Sequence, residues 1–392
     1  MNNLYFDWAA ASPFDDDILN TALELSKKAF ANPSSVHKAG LYAKEILQEY
    51  RERTAACLGV PGSTIYYTSG GTESSHLILV SLLLRPAKGS IVVSSIEHPA
   101  VKEQASMLTH CGWDVLTVPS DSNGIITSEA VLSKIRDDTA LVCVMAVNNE
   151  TGAIQPVNEI AQAINSVYPG KKKPKFHVDA VQAAGKIPFS FCDPLIDSLC
   201  ISAHKIGGPR GIGILCMKAR QEPFLRGGGQ ENGIRSGTEN LFGAIALCLA
   251  LEKYSVKTEL DERFTVQKNM TSSFIRELRT IPSCTIIPAS RQDPLYCDAS
   301  GYDTRFSPWI IQAAFEGIPS EVLVRSLSEK GLYISTGSAC SSRKLSRPVL
   351  EAMNVSREHI ASAVRFSFGY TTKESEISIL LDTLKDVVKI FS

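Results

Sequence analysis

Excess charge of either sign is missing from this 392-residue chain: 40 lysines and arginines stand against 41 aspartates and glutamates, a net charge of −1. That balance gives no reason to expect nucleic acid or an anionic membrane as a partner. No run of about 20 apolar residues occurs, so no spanning helix is expected. Met1 to Asp7 lacks the charged-then-apolar pattern of a secretory leader. The ten cysteines include no CxxC and no Cys/His zinc spacing. They read as reduced thiols of a cytoplasmic protein, most of them small buried apolar residues. Internal repeats and low-complexity segments are missing too. At this length the chain exceeds one hydrophobic core and should divide into about two domains.

What is present is an alternation of strand-like and helix-like segments. Leu4 to Trp8 is short and apolar, and Asp15 to Phe30 and Val36 to Leu58 have helical character. Strands are expected at Ile65–Thr68, Ile91–Ser94, Val115–Val118, Leu141–Val147, Phe176–Val178 and Leu199–Ser202. Leu241 to about Leu278 reads as helix, with a domain boundary near 255–260. Beyond it the pattern is α+β: strands near Thr285–Pro288, Ser307–Phe315 and Val364–Phe368, a helix at Ser320–Lys330, and a closing amphipathic helix. Gly170 to Lys175 is basic but sits between a helix and a strand, where a solvated loop is the simpler reading. Arg226 to Asn240 is too glycine-rich to belong to a core, and it offers Arg235 and Thr238 as anion ligands.

The polar residues gather just past strands. Asp179 ends one strand and Lys205 follows another, a placement that brings both to one edge of a parallel sheet, where α/β proteins bind ligands. Lys205 has Ser202 and His204 beside it and two glycines after it. An amine so placed suits a Schiff base with the aldehyde of pyridoxal phosphate, whose ring nitrogen needs an Asp or Arg partner. An exposed lysine on a Gly/Pro turn fits the same residues. Ser69-Gly70-Gly71-Thr72 between a strand and a helix would expose backbone N–H groups to a phosphate. His98 is placed to lie on a planar cofactor, although alone it reads more simply as a loop histidine. Asn148-Asn149-Glu150-Thr151-Gly152 is a polar cluster beyond a strand. Cys340 differs from the other cysteines because glycine and four serines flank it, which suits an exposed, reactive thiol and an ordinary surface thiol alike.

Together these segments resemble one family, the pyridoxal-phosphate-dependent cysteine desulfurases of the NifS/IscS-like group, within the fold-type-I, class-V aminotransferases. The resemblance covers essentially the whole chain. It is carried in order by Asn32–Ser35, Thr68–Ser74, Glu97-His98-Pro99, Asn148–Gly152, His177–Ala180 with Gln182, Ser202–Lys205, Gly227–Glu231, Arg235–Thr238, Thr336–Ser342 and Arg365-Phe366-Ser367. It implies an α/β fold of type I. A large domain (15–256) would carry a mostly parallel mixed sheet flanked by helices. A smaller α+β domain (1–14 and 257–392) would carry the cysteine loop.

It also implies roles. Lys205 would hold the cofactor aldehyde and move protons on the substrate, with Asp179 at the pyridine nitrogen, His98 stacked on the ring and Gln182 on its phenolic oxygen. Gly71, Thr72, Ser202 and His204 would bind the phosphate, and Thr238 would reach it from a second subunit. Asn149 and Arg365 would hold the α-carboxylate of L-cysteine, and Cys340 would take its sulfur, leaving L-alanine. The implied partners are a second copy of the chain and a sulfur-acceptor or iron–sulfur scaffold protein. A selenocysteine lyase or a class-V aminotransferase is the alternative on the same fold. Ser75-His76 stands where the family often has Asn-Asn, next to an intact phosphate turn.

Overall fold

The computed structural model describes residues 3–169, 172–337 and 346–391. Twelve strands occur among them: β1 (Leu4–Tyr5), β2 (Ile65–Thr68), β3 (Ser90–Ser94), β4 (Asp114–Val118), β5 (Thr139–Cys143), β6 (Lys175–Asp179), β7 (Ser198–Ser202), β8 (Gly213–Met217), β9 (Cys284–Ile287), β10 (Ile310–Phe315), β11 (Leu332–Tyr333) and β12 (Ala363–Ser367). Seven form one sheet in the order β2-β8-β7-β6-β5-β3-β4. Only β8 runs against its neighbours. β3, β5 and β7 are buried along their whole length, as parallel strands covered on both faces are. Their side chains alternate between two cores: Val92 and Val142 enter the larger one, while Ile91, Val93, Leu141 and Cys143 enter the smaller.

Because β2, β3, β5, β6 and β7 all point the same way, their C-terminal ends share one edge. That edge collects the segments after Thr68, Ser94, Cys143, Asp179 and Ser202. A second sheet, β12-β10-β9, is antiparallel, and β1 pairs with β11. The N-terminal segment ties this second sheet to the edge. Ser367 N–H donates to Phe6 O, Ala9 N–H to Ser367 Oγ, and Ser12 N–H to His204 O.

The helices carry their own stop and start signals. Asp15 caps Asp16–Lys28 through Ile18 N–H, with acids in the first turn and lysines in the last. Lys38–Leu58 starts two residues later than its apolar pattern suggests because His37 Nδ1 accepts from Gly40 N–H, and it ends at Gly59 in the left-handed conformation. The long helical run is two helices, Leu241–Ser255 and Lys257–Leu278, broken where Val256 adopts an extended backbone. The expected strand at 141–147 stops at Cys143; Met145 N–H is taken by the Glu97 carboxylate instead of a neighbouring strand. The strand expected from Ser307 begins only at Ile310, since Ser307 N–H bonds Gly152 O and Pro308 has no N–H to give. Among the described residues no helix is long and apolar enough to cross a membrane.

Candidate active site

The floor of the site is the pair of strand ends β6 and β7. Their register sets Asp179 beside Cys200, two residues before Ser202. Asp179 is buried, and its Oδ1 accepts Val181 N–H at 3.0 Å. Past β7 a single helical turn carries His204 and Lys205. Lys205 Nζ donates to Ala9 O at 2.6 Å and Ala10 O at 2.7 Å. Ser202 Oγ lies 2.8 Å from His204 Nδ1. Burial pushes the His204 pKa down to about 4, with Lys205, Arg210 and Lys186 adding to the effect, so its ring is neutral near pH 7. His98 follows β3 and caps the helix Pro99–Thr109, its Nδ1 accepting Ala100 N–H at 3.1 Å. That bond leaves the proton of the neutral ring on Nε2. Burial lowers the His98 pKa; Asp179 opposes the shift and Lys205 reinforces it, the signature of three groups facing one space.

Gly71 opens the helix Gly71–Ser81, whose first N–H groups have no acceptor within the helix. Gly70 has φ +152°, and a Cβ at Gly71 would stand 2.7 Å from Val181 Cγ2. Side chains are thereby kept out of this turn, and Thr72 on its outer side is exposed. Ser202 Oγ borders the same turn, 3.5 Å from where a Gly70 Cβ would be. Backbone donors and a hydroxyl around a cleared turn fit a phosphate, and the Lys205 amine three residues past Ser202 fits an aldehyde on the ring that carries it.

Gln182 is buried beside the floor. Its Nε2 donates to Ala9 O at 2.9 Å, the carbonyl that also takes Lys205. Opposite lies Arg365, on β12 and 2% exposed. Nη1 donates to Asn149 O at 2.7 Å and Gly337 O at 3.1 Å, and Nη2 donates to Asp7 Oδ1 at 2.6 Å. Its Nε–H is buried and has no partner among the described residues. Asn149 thus meets Arg365 through its backbone carbonyl. Asn148 builds that turn: its Oδ1 accepts Glu150 N–H, Thr151 N–H and the Thr151 hydroxyl.

Cys340 lies outside the described residues. Thr238 is exposed, and its hydroxyl makes no hydrogen bond among the described residues. Its segment is nonetheless partly buried, which corrects the expectation that Arg226–Asn240 lies outside any core. Glu231 is buried, forms a two-pronged pair with Arg51 at 2.7 Å, and accepts Tyr67 N–H at 2.8 Å. Arg235 pairs with Glu73 at the phosphate turn. Asp7 and Lys186 escaped the sequence reading, and Glu231 entered it only inside a motif with no role; the partners of Asp7 and Glu231 are ones that no local pattern announces.

The aminotransferase class-V family matches residues 4–380. A cysteine desulfurase IscS of Dictyoglomus turgidum is 33% identical over 98% of this chain and 94% of its own. A NifS/IcsS protein homolog of Lactobacillus delbrueckii subsp. bulgaricus is 36% identical, covering 99% of this chain and 98% of its own. Among solved structures, a NIFS-like protein superposes with a TM-score of 0.88 at 32% identity, over 99% of this chain and 100% of that one. SspA in complex with cysteine gives 0.78 at 29% identity, over 93% and 98%. A match over nearly the whole chain, with a lysine just past one strand and a buried aspartate ending the strand beside it, marks a class: the chain belongs to the class-V aminotransferases, which are pyridoxal-phosphate enzymes. Within that class it groups with the cysteine desulfurases of the NifS/IscS kind.

Proposed function

We propose that the protein takes the sulfur of L-cysteine, releases L-alanine, and carries the sulfur as a persulfide on Cys340 to an acceptor or iron–sulfur scaffold protein in the cytoplasm. The observation that carries the reading is Arg365: a buried guanidinium with an unbonded Nε–H, held by the same Asp7–Ala10 segment that receives Lys205. The Nε/Nη2 edge of a guanidinium matches a carboxylate in a side-on fork, which suits an α-amino acid whose reacting carbon lies toward Lys205.

Pyridoxal phosphate, when bound, supplies an electron sink for bonds at the substrate's α-carbon. In this reading Lys205 holds its aldehyde and moves protons, and Asp179 stands at its ring nitrogen. His98 covers the ring, Gln182 donates to its oxygen, and Gly71, Thr72, Ser202 and His204 take the phosphate. The Cys340 thiolate attacks the substrate sulfur. The S–S bond forms as the C–S bond breaks, its electron pair stays with carbon, and a proton there completes alanine, so no outside oxidant is needed. The described thiols nearest the floor do not compete for this role. Burial raises the Cys143 and Cys200 pKa values well above an ordinary thiol's, and Glu97 and Asp179 respectively push them further.

The working unit in this reading is a homodimer, with Thr238 of the partner subunit on the phosphate. Thr238→Glu and Lys205→Ala chains, each inactive alone, should recover about half of wild-type activity per heterodimer when co-expressed, because one site then holds no lesion. For the reaction itself, holoenzyme and cysteine with no keto acid should give alanine and sulfide in equal amounts in the presence of a thiol. A requirement for a keto acid would overturn the reading in favour of transamination.

A further inference from the structure

Lys186 is 3% exposed and sits four residues past Gln182. Its backbone is pinned at both ends: its N–H donates to Ala183 O, and its carbonyl accepts Trp309 Nε1–H at 2.6 Å. Among the described residues its amine makes one hydrogen bond, to Gln182 Oε1 at 2.6 Å. The charged groups that act on it are Lys205 and Arg365, both cations, and it pairs with no carboxylate among the described residues. Burial, and then those two cations, hold its pKa well below that of an ordinary lysine. A buried amine with one neutral acceptor and cationic neighbours costs stability, so packing does not account for it.

The Gln182 carboxamide does. Its oxygen faces Lys186, and its nitrogen faces Ala9 O. Turning the amide over would set Oε1 against the Ala9 carbonyl oxygen and would give up the bond that Oε1 accepts from Lys186. Nε2 carries two N–H groups, and Ala9 O uses one. Because Lys205 Nζ reaches the same carbonyl, Gln182 Nε2 lies near the Lys205 amine with one N–H not used by Ala9.

We propose that Lys186 is a positioning residue that fixes the orientation of the Gln182 amide, keeping one N–H for an acceptor oxygen on the cofactor carried by Lys205. The proposal rests on the reading that Gln182 contacts the cofactor. It is independent of the sulfur chemistry at Cys340.

The test is a pH titration of the visible absorbance of the holoenzyme, without substrate, for wild type, Lys186→Met, Gln182→Ala and the double variant. A donated N–H favours the deprotonated, anionic oxygen, so Gln182→Ala should raise the titration midpoint by about one pH unit or more. Lys186→Met should raise it in the same direction, yet add nothing in the Gln182→Ala background, since its effect runs through the amide. Its melting temperature should hold or rise. Lys186→Leu reports the same cycle if the methionine variant does not fold. A Lys186→Met midpoint equal to wild type overturns the proposal, and so does a shift that persists in full without Gln182, which would make Lys186 act by charge alone. If Gln182→Ala itself leaves the midpoint unmoved, the cofactor contact of Gln182 fails, and that outcome is distinct from both.

Discussion

On the floor of the site, Asp179 ends one strand and Lys205 follows its neighbour, whereas Arg365, the wall, is held by Asp7, 358 residues away in the chain. The floor is assembled by sheet register: once β6 and β7 pair, their C-terminal residues have no other place to go. The wall is assembled by closure of the chain ends. β1 pairs with β11, Ser367 receives the N-terminal segment, and only then do Asp7 and Asn149 meet the guanidinium. Within one chain, losing Arg365 should therefore leave cofactor binding intact while substrate recognition suffers.

Lys205→Ala should break the floor most severely. Borohydride reduction should no longer fix the cofactor to the protein, and turnover should fall by a factor of about a thousand or more, the scale expected for a lost proton-transfer group. A reduced cofactor found on any other lysine would contradict the assignment.

Arg365→Lys tests the wall. Losing a charge-assisted fork should raise KM for cysteine by about ten- to a hundred-fold while the cofactor spectrum stays unchanged. A spectrum that moved with KM would show that the two walls are not separable. Asp7→Asn sharpens the same point in the opposite direction. Without the internal carboxylate, Arg365 should hold the substrate's more tightly, lowering KM by a few-fold at some loss of thermal stability.

A separate effect, on stability and not on turnover, concerns Glu97. Glu97 is fully buried. Its Oε1 accepts Ser94 Oγ–H and Met145 N–H, both at 2.6 Å, while Oε2 has no partner among the described residues. Burial, with Asp179 adding to it, pushes its pKa up to about 8. A carboxyl raised by folding favours the native state at low pH and loses that contribution as pH rises toward 8. The buried His177 is pushed down to about 4 by burial. Its contribution is present above the ordinary imidazole range and is lost as pH falls toward 4. Glu97→Gln should remove the alkaline loss alone, changing the difference in unfolding free energy between about pH 5 and about pH 8 by on the order of 3 kcal/mol. An unchanged pH profile would mean that Glu97 is ionised in the native state.

The same contrast explains what could be read in the sequence. Floor residues announce themselves locally. A hydrophobic run ends, a polar or glycine turn follows, and the α/β rule places that turn at the ligand edge; Ser69–Thr72, His98, Asp179 and Lys205 all follow it. The remaining contacts join distant residues without periodicity. Arg51 and Glu231 are 180 positions apart, and Asp7 and Arg365 are 358 apart. Glu231 also lies in a stretch whose glycines conceal its burial. The misjudged strand ends have the same origin, since the Glu97 carboxylate ends β5 and the Gly152 carbonyl delays β10, both from outside their own segments.

The sulfur transfer itself is tested most directly on the wild-type and Cys340→Ser holoenzymes. Each is incubated with L-cysteine and no acceptor, then digested and analysed by mass spectrometry. The wild-type peptide that contains Cys340 should carry one extra sulfur atom, removable by a thiol. The serine variant should keep its cofactor spectrum and its response to cysteine, yet carry added sulfur on no residue. Persulfide on another cysteine, or wild-type sulfide release by Cys340→Ser in the presence of an acceptor, would contradict the account.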